Sequence, residues 1–141
     1  MFRKILVPLD LQDLKGAERT LKIVAEYVDE TVELHLMSVL PGYQMPMVAS
    51  YFPKQAVDQA LKAMGAELML LGKKHLGDKD FSAEVVEGKA HKAIVSRANQ
   101  LGIDLIIINA QKHGAVEKMM LGSVTSKVAE RANCSVMVLK S

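Results

Sequence analysis

The feature that most constrains this chain is an alternation running through its whole length. Short, branched, apolar runs trade places with segments whose apolar residues recur at helical spacing. KILVPLD (Lys4 to Asp10), VELHLMSVL (Val32 to Leu40), AEVVEG (Ala83 to Gly88), DLIIIN (Asp104 to Asn109) and SVMVL (Ser135 to Leu139) have the composition of strands. Between them lie four inward-facing stripes: Leu14, Ala17, Leu21, Val24 and Val28; Val57, Leu61, Met64, Leu68 and Leu71; Ala90, Ile94, Ala98 and Leu101; and Val124, Val128 and Ala132. Asp13 is placed to cap the first of these helices, and Gly102 to end the third.

Strands this apolar need cover on both faces, and strand–helix alternation joins parallel strands by crossovers. The pattern therefore predicts an α/β, three-layer, doubly wound parallel sheet. In such sheets ligands sit beyond the carboxyl ends of the strands, where strand order reverses. Spacing alone does not fix that order, but two strand ends carry unusual chemistry: Pro8 to Asp10, and the stretch after the fourth strand.

A chain of 141 residues, 50% hydrophobic, suits one domain over residues 1–141 with one core. Its 18 basic and 16 acidic residues are interspersed for a net charge of +2, so no charge field points to nucleic acid. The one cysteine, Cys134, cannot form an internal disulfide, and within CSVMVL it reads as a small buried hydrophobe suited to a reducing cytoplasm. No apolar stretch has the length of a membrane span, and strand residues rather than a signal-peptide cleavage site follow Met1-Phe2-Arg3-Lys4. The expectation is a soluble, unexported, cytoplasmic protein without a membrane partner.

Loops between strand and helix in such units run about two to six residues, so Ala110 to Leu121 is long enough to suggest a function. It ends in Gly122-Ser123-Val124-Thr125. A glycine admits close backbone approach, a serine caps the helix, and the helix N-terminus carries positive potential, which together describe an anion site. The same residues also make an ordinary helix start. His35, His75, His91 and His113 are too scattered for a metal site, and there is no nucleophile elbow, complete Walker loop or GxGxxG fingerprint. Apolar residues of the Met45 to Phe52 loop either fold onto their own core or overhang the crevice as a lid or a partner surface.

ILVPLD near the start, LGSVTSKV after the long loop and ANCSVMVL at the close resemble segments of the universal stress protein family, which read much like ILVPVD, LLGSVAEKV and APCPVLVV. The resemblance covers the whole chain in order. It implies a five-stranded sheet of order 3-2-1-4-5 with four helices, in which the first and fourth strands flank the switch point. It also implies ATP as a ligand in many members, with Mg2+ held by its phosphates. The family's phosphate loop reads Gly, two residues, Gly, nine residues, then Gly-Ser or Gly-Thr. Aligned on Gly122-Ser123, the two early glycines fall on Asn109 and Lys112, so only the helix-end half of the motif is kept. Lys112 either supplies a point charge in place of backbone dipoles or fills the site.

Carried over residue by residue, the resemblance assigns Pro8, Leu9, Asp10 and Val39 to the adenosine end. Asn109, Gln111, Lys112, Gly122, Ser123, Val124 and Thr125 fall at the phosphate end. After Asp10 the family commonly has Gly-Ser, whereas this chain has Leu11-Gln12. The expected function is nucleotide-dependent regulation, with a dimeric interaction module lacking nucleotide as the alternative. ATP hydrolysis ranks below both, because no residue is an evident base for water. The last strand, Ser135 to Leu139, is expected at a sheet edge, where it joins a homodimer with unknown protein partners beyond it.

Overall fold

The computed structural model describes residues 1–42, 54–110 and 122–140. Five strands, β1 (Lys4–Pro8), β2 (Glu33–Pro41), β3 (Ser82–Gly88), β4 (Leu105–Asn109) and β5 (Ser135–Leu139), alternate with four helices: α1 (Leu14–Tyr27), α2 (Lys54–Leu76), α3 (Ala90–Leu101) and α4 (Ser123–Arg131). All strand pairs are parallel, in the order β3-β2-β1-β4-β5. The expected fold class and strand order are those observed, and the described residues include the four expected helices. Differences at element ends are small: β1 stops at Pro8 rather than Asp10, and β2 extends through Pro41.

Continuous apolar strands follow from burial on two faces. Ile5 and Val7 of β1, Leu34 and Leu36 of β2, and Leu105 and Ile107 of β4 pack with α1 and α2. Their alternates, Leu6, Met37, Ile106 and Ile108, pack with Ile94 and Ala98 of α3 and Val128 of α4. The central strands are sealed, with Ile5, Leu6, Val7 and Ile106 fully buried. The edge strand β5 is half-covered, its Met137 and Leu139 joining one core and Val136 and Val138 the other.

Asp13 caps α1 as expected, its Oδ1 accepting from the Gly16 N–H at 3.2 Å. Leu14, assigned to the inward stripe, is 48% exposed, because the buried face begins one turn later at Ala17. Helix α3 ends on Gly102, whose φ of 65° is the left-handed conformation that a side chain resists. Where β1 and β4 start, the Asp104 carboxylate accepts from the Arg3 and Lys4 N–H groups at 3.0 and 3.1 Å. Cys134 is half-buried, and desolvation pushes its thiol pKa up, in keeping with a packing role. No helix among the described residues is long and apolar enough to cross a membrane. The Met45 to Phe52 loop lies outside the described residues.

Candidate functional site

β1 pairs with β2 so that Pro8 lies opposite Met37. Because β2 continues to Pro41, its residues from Ser38 onward rise past the end of β1 and make a wall. Pro8 ends β1 buried, and the chain is handed to β2 by Leu9, whose N–H meets the Met37 carbonyl at 2.8 Å. A turn follows: Asp13 N–H reaches the Asp10 carbonyl at 3.0 Å, and Asp10 Oδ1 accepts from the Gln12 N–H at 2.9 Å. The exposed Asp10 thus closes the turn that delivers α1 to the rim.

Across the switch point, β4 ends at Asn109, and the Ala110 N–H bonds the Leu139 carbonyl at 2.9 Å. Thr125, buried on the first turns of α4, donates its hydroxyl to the Asn109 carbonyl at 3.2 Å and ties that helix to the strand end. Ser123 does not cap α4 as expected. Gly122 is the cap residue, in an extended conformation without a side-chain cap bond, and Ser123 is the first helical residue, exposed to solvent. A serine caps only when its own backbone is outside the helix, and here glycine takes that geometry one residue earlier. The N–H groups at the start of α4 have no acceptors within the helix, which leaves them open to an anion.

These ends surround a cavity of about 290 Å3. Pro8, Leu9, Asp10, Val39, Asn109, Gly122, Ser123, Val124 and Thr125 all stand on its wall, so the structure brings together every expected residue that it describes. Gln111 and Lys112 lie outside the described residues, as do His113 and Lys118. Much of the lining is apolar: Met37, Met64, Ile94 and Ile108 as well as Pro8 and Val39. Its polar lining includes Asp10 after β1 and, from the other side of the switch point in the chain, Asn109 and the first residues of α4. Among the described residues, the carboxylates on the wall are Asp10 and Asp13, both accepting from backbone N–H groups, and no histidine or cysteine joins them. Among the described residues the wall pairs no nucleophile with a histidine base. The described residues hold no metal-ligand cluster.

His91 is buried in the first turn of α3, between Ala90 and Ile94 of the cavity wall in sequence. Burial, then Lys127, Arg131, Lys89 and Lys92, push its pKa below the ordinary histidine value. Its Nε2 lies 3.2 Å from an Arg131 guanidinium nitrogen, and since guanidinium only donates, the imidazole accepts there and is neutral.

Sequence reading missed several wall residues and one side chain that holds a wall residue in place. Gly16, a costly residue inside a helix, could have been noticed for that reason; a Cβ there would stand 2.8 Å from Asn109 Nδ2 and 2.3 Å from Asp13 Oδ2. Met64 and Ile94 were read as core, because the same helical stripe serves both core and cavity. Arg19 of α1, which donates from Nη2 to Asn109 Oδ1 across ninety positions of sequence, had no local signal.

A family model described as universal stress protein family matches residues 1–140. The chain belongs to the universal stress protein family. Among its relatives, universal stress protein MJ0531 of Methanocaldococcus jannaschii is 28% identical over 99% of this chain and 83% of its own. The solved structure of MJ0577, a universal stress protein of the same organism, superposes with a TM-score of 0.79 at 29% identity, covering 100% of this chain and 97% of that one. Two more distant universal stress protein structures share the fold, both with TM-scores of 0.65. One, in complex with cAMP, is 21% identical and covers 99% of this chain and 97% of its own. The other, from Archaeoglobus fulgidus in complex with dAMP, is 19% identical and covers 97% of each.

Proposed function

We propose that this universal stress protein is a regulatory protein that binds an adenine nucleotide in the crevice between β1 and β4, its occupancy biasing a conformational or assembly state. The observation that carries this reading is the cavity itself: a largely apolar slot at the switch point whose wall includes the Asp10 carboxylate and the N-terminal turn of α4. Adenine fits between Pro8 and Val39 with Leu9 beside it, ribose lies toward Asp10, and phosphate meets the start of α4 at Gly122, Ser123, Val124 and Thr125. Asn109, Gln111 and Lys112 complete the phosphate end. The adenine nucleotides bound by the two distant relatives support the ligand class. For ATP, the wall carboxylates are already held by backbone N–H groups, so the proposal leaves Mg2+ to the nucleotide's own phosphates.

One observation favours the second reading, a dimeric interaction module without nucleotide: Asn109 puts a side chain on the cavity wall where the family's phosphate loop has glycine. Calorimetric titration with ATP and magnesium, AMP and adenosine separates the two. Binding is expected, with a matching rise in thermal stability, since a ligand held only by the native state must stabilise it. Lys112→Ala should weaken ATP more than adenosine, and the difference should shrink with salt. Gly122→Val should weaken ATP with less dependence on salt. Absence of wild-type affinity at millimolar nucleotide overturns the reading, and tighter ATP binding by Lys112→Ala makes the interaction module the better one.

A further inference from the structure

We infer that Arg19 is a positioning residue that turns the Asn109 amide into a hydrogen-bond donor for the phosphate of the bound nucleotide. The inference rests on the nucleotide reading above and explains how this chain manages without the glycine expected at position 109. A guanidinium carries only donors, so the amide atom it bonds must be the oxygen. Arg19 Nη2 takes Asn109 Oδ1, which fixes the amide with its NH2 on the other side. That NH2 lies against Gly16, where even a Cβ would come within 2.8 Å. Both Gly16 and Asn109 are on the cavity wall.

The guanidinium is itself held. Its Nη1 donates to the Lys140 carbonyl at 3.1 Å, just past β5, and the neighbouring Leu139 carbonyl accepts from Ala110. Arg19 is thus anchored at the joined ends of β4 and β5, and its second nitrogen is aimed at Asn109. An amide that could rotate freely would present oxygen to a phosphate in half its orientations, and oxygen repels an anion. With the oxygen occupied, the amide can offer the ligand only its N–H groups, on the side that meets Gly16 and the Asp13 carboxylate at the cavity wall.

Asn109→Asp tests the donor. The carboxylate keeps the Arg19 bond, so thermal stability should hold, while loss of the NH2 and the added negative charge should lower AMP affinity by about tenfold or more. Adenosine affinity should change little. Arg19→Met, measured alone and in an Asn109→Ala background, tests the positioning. It should lower AMP affinity several-fold in the wild-type background and have no further effect when the amide is absent. Equal losses in both backgrounds would mean that Arg19 attracts phosphate by charge alone, and would overturn the inference. So would AMP affinity unchanged in Asn109→Asp. Wild-type protein that binds neither AMP nor adenosine removes the nucleotide reading together with this one, whereas wild-type binding indifferent to both substitutions removes this one alone.

Discussion

His91 is buried beside four cations, and this sets the direction of its response to acid. In the unfolded chain it takes a proton near the ordinary value of 6.5; in the folded chain burial and then Lys127, Arg131, Lys89 and Lys92 resist that proton. Its contribution to stability is therefore complete above pH 6.5 and is lost as pH falls from there through the lower folded value. Thermal midpoints measured from pH 7.5 to 5 should decline, and His91→Gln, which still offers Arg131 an acceptor, should flatten that part of the profile. A separate loss at more acidic pH belongs to Glu33 and Glu18. His35 depresses the Glu33 pKa; Lys74 and His75 depress that of Glu18. Gly16 poses a different residue-scale problem. Alanine there gains roughly 1 kcal/mol of helix propensity but pushes on the Asp13 cap, which is worth about as much. Gly16→Ala should barely move the thermal midpoint yet weaken the proposed nucleotide binding by displacing Asn109, and calorimetry on the same sample checks both halves.

At the scale of elements, β4 shows what the sequence made legible. LIIIN is apolar without alternation because Leu105 and Ile107 face α1 and α2 while Ile106 and Ile108 face α3 and α4. Ile107→Asp would bury an unpaired carboxylate, at a cost above roughly 4 kcal/mol, and circular dichroism should show an unfolded chain rather than a folded chain with altered binding. The same two-sided burial explains why all five strands could be read, and why β5 was placed at Ser135 to Leu139 without error. The α4 cap was not readable in this way. Gly122 and Ser123 are both good caps, and the choice between them lies in a backbone angle rather than in residue type. Much of the site was legible because it sits at strand ends, which hydrophobic runs locate well. Arg19 was not, because its partner Asn109 becomes a neighbour only after β4 joins β1.

For the whole molecule, we propose a homodimer paired through the outer flank of β5, which no described strand pairs with. A residue's N–H and C=O point to the same side of a strand, and the Leu139 carbonyl faces β4, so Val138 turns its backbone outward. Proline is tolerated on the open side of an edge strand. Val138→Pro should therefore leave the fold intact while shifting sedimentation from dimer to monomer; a dimer that survives it is held by another surface. The pairing of β1 with β4 has a consequence in time. Ile5 lies opposite Leu105, so the contact that opens the crevice closes a loop of about a hundred residues and forms slowly for entropic reasons. Walls drawn from residues as distant as Pro8 and Thr125 exist only once that closure is complete. A ligand in the crevice should then leave the refolding rate unchanged and slow unfolding, so that occupancy lengthens the lifetime of the folded chain without hastening its birth.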